Sequence, residues 1–68
     1  MDPDSFNLSL RKFLKTVGVG SQRDIEQAVA QALASGVLRG DETLAVGVTL
    51  EIGALQLRAR FDGEIRLQ

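Results

Sequence analysis

Acid–base or metal chemistry in this chain would have to rest on carboxylates: Asp24, Glu26, Asp41, Glu42, Glu51, Asp62 and Glu64. There is no cysteine and no histidine. That excludes thiol nucleophiles, disulfides and the usual zinc sites. Asp41 and Glu42 are adjacent and, with a remote third ligand, would suit a hard cation. Asp24 and Asp62 have local tasks instead, one as a helix-capping partner and one in a turn. General acid–base catalysis needs a tuned group in a pocket, and a two-layer fold of 68 residues leaves little room for one. The expectation is therefore a non-enzymatic chain, with no catalytic residue, metal or cofactor assigned and any small-molecule ligand left open.

The cations point to a different chemistry. Arg23, Arg58, Arg60 and Arg66 are the residues through which nucleic acid would be held. Phosphate contacts dominate such binding, yet Asp24 and Glu26 lie beside Arg23, the net charge is −1, and no aromatic residue shares the outer sheet face with the three later arginines. Stacking on single strands would need one. Gly18-Val19-Gly20 before Ser21 would cradle an anion if a helix began there. A helix precedes it, however, and no Lys-Ser/Thr pair follows, so it is not a P-loop. Nucleic acid is disfavoured, and a degenerate winged helix-turn-helix stands as the alternative.

The elements that would position these groups follow from periodicity. Phe6, Leu10, Phe13, Leu14 and Val17 share one helical face, predicting a helix over about 5–17 that starts at Asp4 or Ser5 after Pro3. Leu8 points away from that face, near Arg11, Lys12 and Lys15. Gly18-Val19-Gly20 is expected to break the helix, and Ser21 to cap a second one over about 22–35 with Ile25, Ala28, Val29, Ala32 and Leu33 as its stripe. Gly36 is the expected C-terminal cap, with Val37 making the apolar contact that accompanies it.

From Thr43 onward the period changes to two. Leu44, Val46, Val48, Leu50 and Ile52 fall on one face of a strand over 43–52. Leu55, Leu57, Ala59 and Phe61 fall on the same face of a second over 55–60, and Ile65 and Leu67 on that of a third over 64–68. Gly53-Ala54 as a two-residue loop pairs Ile52 with Leu55, Leu50 with Leu57 and Val48 with Ala59. A type I turn over 60–63, with Gly63 left-handed in a bulge, pairs Ala59 with Ile65. A three-residue loop of Asp62, Gly63 and Glu64 also keeps parity but places Arg60 opposite Arg66. The predicted architecture is α+β: two N-terminal helices on one face of a three-stranded antiparallel meander (ααβββ), as a single domain over 1–68.

Strand 43–52 would then be an edge. It is long and holds neither Lys nor Pro, whereas natural edges are usually protected. Gly47 suggests a bend within it. A chain of this size is marginally stable and has no covalent staple, so self-association would supplement its core. The partner expected is another protein or a second copy, through Val46, Gly47 and Thr49 on the edge strand and Leu8, Arg11 and Lys15 on the first helix. Lys at Gly47 or Thr49 is expected to weaken association. The acidic polar start, with no apolar run after it, suggests no leader and no membrane partner, hence a cytoplasmic protein.

The segments Phe6-Asn7, Arg11–Lys15, Val17-Gly18-Val19, Ser21–Glu26, Gly40–Leu44 and Asp62–Ile65 together resemble a family of short bacterial proteins of unknown function. The resemblance covers essentially the whole chain, and its motifs are specific as a set rather than singly. It implies a bacterial cytosolic protein and carries over no catalytic or binding residue.

Overall fold

The computed structural model describes all 68 residues. They form two units, Met1–Val37 and Leu38–Gln68. The first is one helix, α1, over Pro3–Ala34; the second is a hairpin of β1, Thr43–Ile52, and β2, Leu57–Arg66. The expected two helices and three strands are therefore one helix and two strands.

Helix α1 begins one step earlier than Asp4. Asp2 is its cap, and its carboxylate accepts from the amides of Asp4 at 3.0 Å and Ser5 at 3.4 Å. The Ser5 hydroxyl donates to the same carboxylate at 3.0 Å. Pro3 sits in the first turn, where its missing N–H costs nothing. The helix then runs through Gly18-Val19-Gly20 without a break. Glycine inside a helix costs up to about 1 kcal/mol relative to alanine, but it does not forbid the conformation. Ser21 shows the continuity directly. Its hydroxyl donates back to the carbonyls of Val17 and Gly18, as a mid-helix serine does, and does not cap a new helix. Ser35 and Gly36 end α1. Gly36 has φ of +81°, as expected of a terminating glycine, and its amide donates to the Leu33 carbonyl at 3.3 Å. Val37 remains exposed, so the apolar contact expected of it is not made.

In the hairpin, the Gly53-Ala54 turn is replaced by a short 3-10 turn over Gly53–Leu55 and by Gln56 in the left-handed region, with φ of +49°. The loop grows from two residues to four, and the register moves by two. Ile52 now pairs with Leu57, Leu50 with Ala59, Val48 with Phe61, and Leu44 with Ile65. A shift of two preserves parity, so apolar residues still face apolar residues. The turn expected over 60–63 is not made. Asp62 and Gly63 are ordinary ladder positions opposite Gly47 and Val46, and the residues assigned to a third strand belong to β2 or follow it. No bulge forms at Gly47: β1 pairs one to one with β2 from Thr43 to Ile52.

No residue of the chain is buried. On the apolar faces of helix and hairpin, residues such as Val17, Ile25, Leu44 and Leu50 are partly covered and the others are exposed.

Gly63 separates the two topologies. A Cβ there would meet Val46 Cγ1 at 3.8 Å, an ordinary contact, and its φ is not positive. Gly63→Ala should raise stability by about 0.5 kcal/mol, because glycine in a strand carries an entropic cost. A left-handed Gly63 in a second hairpin would instead make the same variant less stable by about 1 kcal/mol or more. Thermal melts followed by circular dichroism distinguish the signs.

Candidate functional site

The polar face of the hairpin gathers Glu51, Asp62, Glu64 and the three later arginines, all singled out from the sequence. Period-two alternation places Ala45, Gly47, Thr49 and Glu51 on it from β1, and Arg58, Arg60, Asp62, Glu64 and Arg66 from β2. Arg58 and Glu51 are direct cross-strand partners, 3.6 Å apart. Arg60 donates to Asp62 at 2.9 Å along its own strand and to the Thr49 hydroxyl at 3.2 Å across the ladder. Its guanidinium lies over Gly47, where any Cβ would overlap it. Gly47 thus serves as the bare floor on which Arg60 lies. Two of the three arginines on this face are engaged with carboxylates of their own sheet. Each pair is exposed, so its contribution to stability is small.

The second cluster is the loop before β1. Both oxygens of Glu42 accept backbone amides: Oε2 from Arg39 at 2.8 Å and Oε1 from Gly40 at 2.9 Å. Gly40 adopts φ of +108°, which favours glycine. The Arg39 guanidinium lies 3.5 Å from Asp41 and 3.9 Å from Glu42. The Glu42 backbone carbonyl accepts from the Leu67 amide at 3.0 Å, extending the hairpin beyond its formal ends. Glu42 is thus a loop brace whose oxygens hold amides, while Asp41 pairs with the Arg39 guanidinium. The structure brings no group of three or more metal-ligating side chains together.

On α1, Leu8 is 71% exposed, and Arg11 and Lys15 are also exposed. The concavities of this helix are open furrows between neighbouring side chains. One is lined by Lys12, Lys15, Thr16, Val19, Gly20 and Arg23, the other by Val19, Gln22, Arg23, Glu26 and Gln27. Both are lined by residues of α1 alone. Gly18–Ser21 lies inside α1, whose amides there belong to the helical ladder, so the anion cradle is not formed. The helix–turn–helix on which the nucleic-acid alternative leaned is not formed either. Val46 is half-buried on the apolar face of β1, while Gly47 and Thr49 lie on its polar face.

Sequence reasoning missed the Arg60–Gly47 contact and the Glu42 brace. The first has a faint signal in retrospect: Gly47 and Thr49 occupy alternate positions on one face, opposite an arginine two residues from an aspartate.

An extended helix followed by a hairpin, with charged pairs satisfied internally and no enclosed cavity, defines a class of small helix-plus-hairpin chain. The chain belongs to the family of unknown function DUF6494, whose model matches residues 1–68. No curated protein and no solved structure matches it. No helix is long and apolar enough to cross a membrane.

Two carboxylates are held below their ordinary range. In Glu42 the cause is first the Arg39 amide and then that of Gly40. In Asp2 it is the Ser5 hydroxyl, then the Ser5 and Asp4 amides. A carboxylate whose pKa is depressed on folding contributes stability above its unfolded pKa and loses it as pH falls through the folded value. Acidification below the ordinary carboxylate range should therefore release the loop and fray the start of the helix. In nuclear magnetic resonance, the Arg39 and Gly40 amide signals should titrate together at a pKa below that of a free glutamate. Glu42→Gln should abolish that titration; amides that titrate at the free value would show that the brace is absent in solution.

Proposed function

We propose that this chain is a non-enzymatic, self-associating module. The observation that carries this reading is the row of exposed apolar side chains that each unit presents, in a sequence that is 44% hydrophobic. Ordinary apolar surface scattered singly needs no partner. Here Phe6, Leu10, Phe13 and Leu14 are exposed together along one helix, and Val48, Ile52, Leu57 and Phe61 along one sheet face.

The hairpin adds a second kind of surface. A two-stranded sheet has two open edges, and that of β1 is ten residues long with no Lys or Pro to guard it. A strand from a partner would extend it by backbone pairing.

Sedimentation equilibrium over a wide concentration range should show a dimer or a larger assembly. A folded monomer at every concentration would contradict the proposal. Thr49→Lys should weaken association severalfold if the β1 edge contributes, because a lysine guards an edge against pairing. Unchanged association in that variant would remove the edge from the interface. Both sites touch Arg60, since Gly47→Lys would displace its guanidinium and Thr49→Lys would remove its hydroxyl partner, so circular dichroism must show each variant folded before association is compared.

A further inference from the structure

We infer that α1 pairs antiparallel with α1 of a second copy, about a two-fold axis at the level of Gly18–Gly20. This rests on the self-association reading and specifies its surface.

The first ground is the shape of the stripe. Phe6, Leu10, Leu14, Val17, Ser21, Ile25, Ala28 and Ala32 follow the spacing 4-4-3 repeated, an 11-residue period. That period gives 3.67 residues per turn, so the stripe stays almost straight along a helix of roughly 48 Å. It is unevenly built. The N-terminal half is bulky, with Phe6 and Phe13 each 51% and Leu14 53% exposed. The C-terminal half is smaller along this line, with Ser21, Ala28 and Ala32 around Ile25, while Val29 and Leu33 lie to one side of it. A parallel pair would set phenylalanine against phenylalanine at one end and leave alanine against alanine at the other. No single interhelical distance fits both ends at close packing. An antiparallel pair sets Phe6 opposite Ala32, Leu10 opposite Ala28, Phe13 opposite Ile25 and Val17 opposite Ser21. Large meets small along most of the length, and the glycines meet at the centre, where their missing side chains allow close approach. Nothing lies within 4 Å of a Cβ built at Gly18 or Gly20.

The second ground is charge. From Asp4 to Val17 the helix carries three bases, Arg11, Lys12 and Lys15, against one acid. From Gly20 to Ala34 it carries two acids, Asp24 and Glu26, against the single base Arg23. Arg11, Lys12 and Lys15 point away from the stripe, so the charge acts as a field and not through contacts: a parallel pair sets the two basic halves at one level, and an antiparallel pair sets the basic half level with the acidic one. Such fields set orientation more than affinity.

The absence of native cysteine gives a clean test. L10C and A28C are made separately, and each is examined alone and after mixing under mild oxidation. Mixing should give a disulfide-linked dimer with one chain of each variant, at least about tenfold above the level in either variant alone, because a disulfide requires Cα atoms within about 7 Å. Sedimentation of both variants before oxidation reports whether they associate at all. A nitroxide on A28C alone provides the second measurement. The two labels should lie about 27 Å apart along the axis in the antiparallel pair and in near contact in a parallel one. Monomeric variants together with a monomeric parent would overturn the self-association reading itself. An associated protein without the mixed link, or with short distances between A28C labels, would overturn only the antiparallel helix pair.

Discussion

Both units of this chain are short of covered apolar surface. A helix has a stripe and a sheet has a face, and each must be laid against something to gain from the hydrophobic effect. Here a 32-residue helix and a two-stranded hairpin carry such surfaces, and not one residue is buried. Helical stability in proteins comes mostly from packing an amphipathic face, and a lone two-stranded hairpin is marginal in water. Local features hold each unit in shape: the Asp2 cap, the continuous stripe, the Glu42 brace and the cross-strand pairs. None of them is a core.

The polar face of the hairpin shows how charge is managed when burial is not available. Arg60 reaches Asp62 along its strand and Thr49 across it, and rests over Gly47. Glu51 and Arg58 close the ladder near the turn. These contacts fix which residues stand opposite one another, although each is too exposed to contribute much energy. Their effect is on register. A slip by two to the register with Ile52 opposite Leu55 would keep every apolar residue on its face, yet it would move Arg60 from opposite Thr49 to opposite Gly47 and Arg58 from opposite Glu51 to opposite Thr49. Charge pairing can select among registers that hydrophobic alternation leaves equivalent.

That equivalence explains what was legible in the sequence. Alternation located β1 at Thr43–Ile52 and assigned the faces of Leu57, Ala59, Phe61 and Ile65, since parity survives any even shift. It could not choose between a two-residue and a four-residue loop. Asp62-Gly63 is a strong turn signal by residue type, but here Asp62 is the partner of Arg60 inside a strand, and Gly63 sits extended opposite Val46. Gly18-Val19-Gly20 was legible as a weak point, yet not as an uninterrupted helix. The clue to continuity was the phase of the stripes on either side: Phe6 to Val17 and Ile25 to Ala32 lie on one repeat, which two independent helices have no reason to share. The carboxylates were visible as a set, but their partners were not, because the Glu42 amides and the Arg60 floor depend on loop and register geometry.

The most direct test of the central claim is the thermal midpoint, followed by circular dichroism across a hundredfold range of protein concentration. If folding is completed by a second copy, mass action ties the folded state to concentration. The midpoint should rise steadily from the most dilute sample to the most concentrated. A cooperative transition at the same temperature throughout, in a protein that sediments as a monomer, would mean that one chain stabilises itself and would contradict the account.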